Sequence, residues 1–222
     1  TYVPQNFKSG TFEFEDEEAL AYELGWKALI ADRLEINGAY FHTDIKNLQL
    51  SVFDGGVGFN VSNAGSAVTQ GIEVDWRFAI TDSWMLTGSF GWLDFEFKDY
   101  KNGLCSASDK LAMANDLEPK ACSPVSTPIL GSIVEYDYNY RDMKGETNQY
   151  VSKYSGSISL QYERFFNPGL LLRSSVDANF NTSYHPTQNL DDELKQDGNQ
   201  VYNLRVGISD IDGVWELALL GR

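Results

Sequence analysis

Residues 154–184 read YSGSISLQYERFFNPGLLLRSSVDANFNTSY, and this stretch decides the fold. From Tyr154 to Glu163, apolar residues and one glycine alternate with serine, glutamine and glutamate. Turn residues at 166–169 separate this segment from a second alternating segment that ends near Tyr184. Alternation with a period of two is typical of a β-strand whose two faces differ. Soluble strands average ~5–6 residues and tilted membrane strands ~9–11, so these lengths favour a membrane hairpin.

The same pattern recurs in three more pairs of segments. The pairs are 20–30 with 34–46, 71–81 with 84–92, and 202–209 with 214–222. Short connections join the partners of a pair, at 31–33, 81–83, 166–169 and 210–213, whereas long ones separate the pairs, at about 47–69, 99–152 and 185–200. This asymmetry is typical of an outer-membrane barrel. The sequence therefore predicts an all-β fold, part of an antiparallel transmembrane β-barrel of about eight strands with short periplasmic turns and long extracellular loops.

The composition limits the possible classes of protein. Aromatic residues make up 14% of the chain and hydrophobic residues 42%, which is not the composition of a disordered chain. No run approaches the ~18 apolar residues of a membrane helix, so a membrane location requires a barrel. The net charge of −15 argues against nucleic acid as a partner, because phosphates need a basic surface. Interfacial aromatic girdles are expected at Trp26, Trp84, Trp92, Tyr162, Tyr184 and Trp215.

The two cysteines, Cys105 and Cys122, lie close together in one polar stretch. An isolated pair of this kind predicts a disulfide formed in an oxidising compartment, with free thiols as the alternative. A zinc site is disfavoured, because structural zinc takes four Cys or His ligands and no histidine lies near.

An ordered set of motifs runs along nearly the whole chain. The motifs are YELGWK at 22–27, RLEIN at 33–37 followed by segments at 39–41 and 44–49, NAG at 63–65 followed by GIEVD at 71–75, DMKG at 142–145, and WEL at 215–217 near the chain end. In order and spacing they resemble the β-barrel domain of TonB-dependent outer-membrane receptors. No single motif is decisive; the resemblance rests on the set.

The resemblance implies a bacterial outer-membrane receptor that takes up a scarce siderophore, vitamin or oligosaccharide with energy delivered through TonB. The implied partners are outer-membrane lipid, the receptor's own plug domain, TonB through an N-terminal region, and a small ligand of unknown identity. No cofactor is implied. Such a barrel has about 22 strands. Residues 1–222 would then be a partial barrel domain, with the plug domain, the TonB box, the early strands and the final strand outside this sequence.

Seven charged residues on the polar faces are the candidates for groups that face the lumen or the plug. They are Glu73, Asp75, Arg77, Glu163, Arg173, Asp177 and Arg205. Enclosed charges persist when they are paired or hydrated, so pairing within the barrel wall is the simpler role. In the longest loop, Tyr136, Tyr138 and Tyr140 are candidate ligand contacts, because tyrosine offers rigid, amphipathic contact area. An ordered β-extension of the barrel is the plainer interpretation of that stretch.

Other classes of function remain as alternatives. The pattern also fits a soluble ligand-binding β-barrel or sandwich, and a small self-contained eight-stranded outer-membrane barrel with a structural or adhesive role. A self-contained barrel should close with an aromatic-ended strand, whereas this chain stops at Arg222. An enzyme is not expected, because His42 and His185 lie far apart and no Ser-His-Asp grouping is visible. No metal site is expected, because the acidic residues at 191–193 and 197 lack EF-hand spacing.

Overall fold

The computed structural model describes residues 14–53, 59–101, 103–115, 122–129, 133–167 and 169–222. The strands in chain order are β1 (Glu18–Ile30), β2 (Leu34–Lys46), β3 (Gln49–Phe53), β4 (Phe59–Asn63), β5 (Ser66–Ala79), β6 (Trp84–Asp99), β7 (Gly103–Leu104), β8 (Cys122–Ile129), β9 (Ile133–Arg141), β10 (Tyr154–Asn167), β11 (Leu170–Asn181), β12 (Asn199–Asp210) and β13 (Glu216–Gly221). In the described part, one α-helix, α1 (Ala107–Ala114), and one 3₁₀ turn (Asp192–Leu194) interrupt the β-structure. None of the described helices is long and apolar enough to cross a bilayer.

Eight of these strands form one antiparallel sheet. Its order is β1-β2-β5-β6-β10-β11-β12-β13, so each long strand pairs with its neighbours along the chain. The prediction of an all-β fold with about eight strands in four hairpins is confirmed. Within the described residues β1 and β13 do not pair with each other, so the sheet is open.

Tight turns close the hairpins at one end of the sheet. Between β1 and β2, Ala31 and Asp32 adopt φ values of 51° and 53°, and the Arg33 N–H donates to the Ile30 carbonyl over 3.1 Å. This bond closes a turn around Ala31 and Asp32, and positive φ at both residues gives the type I′ turn, whose backbone twist matches the twist of the strands. This end of the sheet therefore holds the short connections, as predicted.

The other end of the sheet carries structure of its own. The strand predicted to begin at Gly71 begins at Ser66, and the connection before it spans 47–65 instead of 47–69. That connection contains the hairpin β3–β4, and the connection from 100 to 153 contains α1 and the small sheet β7-β9-β8. The polar start of β5 gave no clear alternation, so its pairing with β2 was not visible in the sequence.

The buried core of the described residues lies where these long connections pack against the ends of β5 and β6. It consists of Ala64, Ala67, Phe97, Tyr100, Met143 and Leu190, with Leu48, Leu50 and Phe95 packed against it. We call this region, with its three connections 47–65, 100–153 and 182–198, the outer cap. A soluble sandwich would instead bury one face of its sheet.

Candidate functional site

The strand register places all seven predicted charged residues on one face of the sheet. On β5, Glu73, Asp75 and Arg77 share a face, and Arg77 lies opposite Thr87 of β6. Thr87 lies opposite Ser159 of β10, which lies opposite Asp177 of β11. Glu163 faces Arg173, and Ser175, two residues further, faces Arg205. Directly opposed residues project to the same side. The sheet thus has one polar face, although no contact with a plug is shown.

Side chains on this polar face are largely paired with one another. Arg173 donates through Nε to the Glu163 carboxylate over 2.9 Å, with both side chains about half exposed. Arg205 is bonded to Glu216 of the last strand. The Asn37 amide donates to Asp75 over 3.3 Å, and the Ser175 hydroxyl donates to Asp177 over 3.2 Å. The bonds of Arg173, Arg205 and Asn37 join neighbouring strands, whereas that of Ser175 stays within β11. This pairing within the wall fits the simpler role of the charges.

Two open cavities lie along the polar face. The larger, about 1030 Å³, is bordered by Glu23, Lys27, Glu73 and Asp75 and by small residues of β6 and β10. The smaller, about 440 Å³, lies near the short turns and is bordered by Arg77, Glu163, Arg173 and Arg205. Six of the seven predicted residues therefore border the cavities. Asp177 lies on the same face without being among the lining residues.

The opposite face is apolar and exposed. Its exposed members in the described structure include Leu20, Leu24, Tyr40, Phe90, Ile158, Val176, Phe180, Tyr202, Leu204, Val206, Leu217 and Leu219. Proteins in water rarely expose a large continuous apolar patch, so a whole apolar sheet face indicates contact with another apolar phase. With one apolar and one polar face, the sheet has the alternation of a membrane barrel wall.

Aromatic rings border the apolar face at both ends. Near the short turns, the rings of Trp84 and Tyr162 lie 4.6 Å apart. Toward the outer cap, the rings of Phe90 and Tyr154 lie 6.1 Å apart, and Trp92 pairs with Tyr154. Between Tyr154 and Tyr162 the strand advances ~27 Å, which becomes ~20 Å across a bilayer at a tilt of ~40°. That height is close to the apolar band of an outer-membrane barrel.

Two of the six expected girdle residues pack differently from the rest, and a place for them at an interface stays a prediction. Trp26 pairs with Gly38 on the apolar face, and its ring covers the glycine so closely that a Cβ there would lie 2.1 Å from an indole carbon. Tyr184 lies beyond the end of β11, in the outer cap, with its ring 6.0 Å from that of Tyr150.

The NAG motif locks the outer cap to the entrance of β1. The Asn63 side chain accepts from the Glu15 N–H over 2.9 Å and donates to the carbonyls of Glu15 and Asn47 over 3.0 and 2.7 Å. Gly65 adopts φ +79°, and a Cβ there would lie 2.2 Å from the Asp99 carbonyl oxygen. The motif therefore needs an amide that both donates and accepts, followed by a residue without a side chain.

The DMKG motif anchors the return from the longest connection. Met143 is fully buried in the cap, its N–H donates to the Tyr100 carbonyl over 2.8 Å, and Gly145 adopts φ +85°. Asp142 accepts from the Lys144 N–H over 2.9 Å, which closes the turn. Burial, with a smaller contribution from nearby Tyr140, raises the pKa of the Tyr100 phenol, so this ring stays neutral within the cap.

The predicted cysteine pair joins the segment just before α1 to the start of β8. In the structure Cys105 and Cys122 are bonded, with their Cα atoms 6.0 Å apart. The state of this pair in the isolated protein stays a prediction.

Asp191 is a polar group that the sequence did not single out. Its side chain is 2% exposed, yet it is fully bonded: it accepts from the N–H groups of Ala107 and Ser108, from the Ser108 hydroxyl over 2.7 Å, and from the Glu193 N–H. Burial alone would raise its pKa, but these hydrogen bonds outweigh burial, and the pKa of Asp191 lies below its usual value. Its partners Ser108 and Ala107 are 83 and 84 residues away in sequence, so no local sequence pattern could predict these contacts.

The predicted ligand-contact tyrosines are only partly described. Tyr136 and Tyr138 belong to β9, but their side chains lie outside the described part of the structure. Tyr140 is 40% exposed at the end of β9. The plainer interpretation, an ordered β-extension, agrees with the pairing of β8 and β9.

Among the described residues, no group of three or more His, Cys, Asp or Glu side chains is arranged to hold a metal ion. His42 pairs with Asp44 over 3.4 Å on β2, whereas His185 pairs with Asp192 over 3.2 Å in the outer cap. The two histidines therefore lie in separate parts of the fold, each beside one aspartate.

The comparisons with known proteins agree with this geometry. A family model described as "TonB dependent receptor-like, beta-barrel" matches residues 1–219. Among curated proteins, no match was found.

Similar solved structures are receptors of larger size. The siderophore receptor PiuA from Acinetobacter baumannii is 17% identical, with a TM-score of 0.62 over 99% of this chain and 25% of that one. The ferric yersiniabactin uptake receptor FyuA from Yersinia pestis is 17% identical, with a TM-score of 0.53 over 86% of this chain and 22% of that one. The ferric-catecholate import receptor Fiu from K12 E. coli is 18% identical, with a TM-score of 0.52 over 90% of this chain and 22% of that one.

At these identities the likeness shows the fold alone, and the chain spans about a quarter of the length of the structures it matches. The family model, in contrast, covers nearly every residue and agrees with the two-faced sheet, the tight turns and the ordered motifs. The chain belongs to the family of TonB dependent receptor-like β-barrels.

Proposed function

We propose that this chain forms part of the barrel wall of a bacterial outer-membrane uptake receptor. The receptor imports a scarce small ligand, a siderophore, a vitamin or an oligosaccharide, with energy delivered through TonB. The chain contributes eight wall strands, and its role is transport rather than catalysis. Siderophores are the leading ligand class, because PiuA is a siderophore receptor, while FyuA takes up ferric yersiniabactin and Fiu imports ferric catecholates.

The observation that carries this proposal is the division of the sheet into an exposed apolar face and a charged polar face. In a bilayer every backbone group needs an internal partner, and a sheet meets that need only by closing into a barrel. The apolar face then meets lipid, and the polar face lines the lumen. Other strands of the receptor pair with β1 and β13.

The lumen also defines the inner partner. The cavity bordered by Arg77, Arg173 and Arg205 near the short turns, and the larger one bordered by Glu23, Glu73 and Asp75, are open toward the polar side. A plug domain would fill this space, and its polar groups would meet charges that are already paired in the wall. The lumen-facing role of the seven charged residues and the ligand-contact role of Tyr136, Tyr138 and Tyr140 are parts of this proposal.

The test uses the whole receptor that contains this chain. Cells expressing it are grown under iron limitation and supplied with radiolabelled ferric catecholate, ferric hydroxamate or cobalamin, with and without TonB. We expect uptake of one ligand class that is abolished without TonB and by removal of residues 84–99, which deletes β6. A variant with an epitope tag after Gly213, in a short turn, is the matched control and should retain uptake.

Two outcomes would contradict the proposal. Uptake that persists in full without TonB would remove the energy source. A receptor recovered as a water-soluble monomer in the absence of detergent would remove the membrane location and restore the soluble barrel.

A further inference from the structure

The third connection of the outer cap, 182–198, is held by contacts with both of the other connections. The Gln188 amide donates to the Ser51 carbonyl over 2.8 Å, which ties it to the first connection. Leu190 is buried in the common core with Met143 and Ala64. Asp191 is bonded to the first turn of α1 in the second connection. The third connection is thus tied to the other two, in addition to bonds of its own such as those that join Tyr184 and Gln196.

Asp191 can bind only where the start of α1 is held in position. Both of its carboxylate oxygens are used, because Oδ2 accepts from two backbone N–H groups and Oδ1 accepts from the Ser108 hydroxyl and the Glu193 N–H. An isolated helix of eight residues is marginal in water. The first turn of α1 therefore needs support from outside the helix.

That support comes from a closed ring of contacts around the start of α1. Cys105, which is 3% exposed, precedes Ser106, whose hydroxyl accepts from the Asp109 N–H over 3.0 Å. The disulfide joins Cys105 to Cys122 on β8, and Cys122 pairs with Arg141 on β9. Arg141 in turn lies 3.9 Å from the Asp109 carboxylate, with both side chains largely buried. The ring leads from the helix through the disulfide and the small sheet back to the helix.

We propose that the Cys105–Cys122 bond and Asp191 form one redox-dependent latch, in which the disulfide positions the start of α1 and Asp191 then docks the third connection onto it. Reduction by a dithiol breaks the Sγ–Sγ bond and delivers two electrons and two protons, giving two thiols while the reductant closes its own disulfide. The first turn of α1 loses its support, the Asp191 carboxylate loses its donors, and the connection opens. Oxidation by a disulfide of the periplasm reverses the exchange.

This inference rests on the proposed location in the outer membrane, because a protein on that route meets an oxidising compartment. Its consequence is that the outer cap assembles after export and not before it. The third connection then serves as the movable part of an otherwise fixed cap.

Trypsin cleavage after Lys195 reports whether the latch is open. The Lys195 N–H donates to the Asp192 carbonyl, and the next N–H, of Gln196, donates to the Tyr184 carbonyl over 2.9 Å. Both bonds lie within the third connection, directly after the turn that Asp191 caps, so cleavage requires that turn to open. The receptor in micelles is tested oxidised, after treatment with a dithiol, and as Asp191→Asn. Asp192→Asn is the matched control, because that side chain is 84% exposed and contacts His185 instead of α1.

We expect cleavage after Lys195 to become about 10- to 100-fold faster on reduction and in Asp191→Asn, as for loss of a charged hydrogen bond. The control should change by less than about 3-fold, and reduction should add little to Asp191→Asn, because both open one latch. Since Cys105 is buried, the double variant C105S/C122S provides the thiol-free state independently.

Unchanged cleavage in both the reduced protein and the double variant would overturn the latch, as would fully additive effects of reduction and Asp191→Asn. Amide exchange of β10 and β11 is followed in the same samples. If β10 and β11 resist exchange and cleavage after Lys195 is also unchanged by reduction, the latch alone is refuted. If β10 and β11 exchange freely, the proposed membrane wall is what fails.

Discussion

A single arginine scanned across neighbouring positions of β10 tests which face of the sheet meets lipid. Ile158 projects from the apolar face, is 47% exposed, and lies four residues from each of the girdle rings Tyr154 and Tyr162. Ser159, the next residue, projects from the polar face and lies opposite Asp177. Ile158→Arg places a charge near the middle of the apolar band, and Ser159→Arg places the same charge beside a carboxylate.

The expected difference follows from the two surroundings. A lipid-facing arginine near the bilayer midplane costs ~2–4 kcal/mol. An arginine beside the half-solvated Asp177 changes stability little, as for an exposed ion pair of ~0–1 kcal/mol. Ile158→Arg should therefore be the less stable variant by ~2–4 kcal/mol, a factor of ~30 to 1000 in the folded-to-unfolded ratio.

The assay is guanidinium unfolding of the whole receptor in lipid vesicles, followed by tryptophan fluorescence, with both variants on the same background. Comparable losses for the two variants would mean that the faces do not differ in environment. A larger loss for Ser159→Arg would mean that the polar face, and not the apolar one, meets lipid.

Three further predictions concern packing, oxidation and pH. Gly88→Ala should cost ~1–3 kcal/mol in the same assay, because a Cβ would lie 2.3 Å from the indole ring of Trp76. Gly91→Ala should be tolerated, because the atom nearest to its Cβ lies at 3.4 Å. Equal costs for the two variants would contradict this packing. Intact mass without reductant should be two protons below the dithiol form, and two alkylatable thiols at Cys105 and Cys122 in the membrane-isolated protein would exclude the disulfide. The pKa of Asp191 is lowered in the folded protein, so its carboxylate stabilises the fold fully above the unfolded pKa of about 3.8, and this contribution is lost as the pH falls below that value. The difference in melting temperature between the receptor and Asp191→Asn should therefore stay constant from pH 5 to 8 and shrink below pH 3.8.

The membrane-facing half of the fold was predictable from the sequence, because a strand between lipid and water must alternate residue by residue. The segment from Tyr154 to Glu163 shows this, and its partners in β6 and β11 follow the same rule. Even the charged residues of the polar face, such as Arg173 and Glu163, could be placed by parity alone.

The outer cap was not predictable in the same way. Its stability comes from contacts between residues far apart in sequence, such as Gln188 with Ser51 and Asp191 with Ser108, and no periodic pattern encodes such pairs. The NAG and DMKG motifs were recognisable in the sequence, but their structural roles depend on the contact of Asn63 with Glu15 and on the burial of Met143 in the core. Ligand contacts depend on this region, so the sequence left the ligand open.

Residue-by-residue accessibility along β10 tests the central claim most directly. Single spin labels are placed at each position from Tyr154 to Glu163 in the receptor reconstituted in vesicles. Each label is exposed first to oxygen, which partitions into lipid, and then to a water-soluble nickel complex. The two-faced wall predicts that positions 156, 158 and 160 respond to oxygen and positions 155, 157, 159 and 161 to nickel, with a period of two. Uniform response to nickel, or the opposite phase, would contradict the assignment of the apolar face to lipid and of the charged face to the lumen.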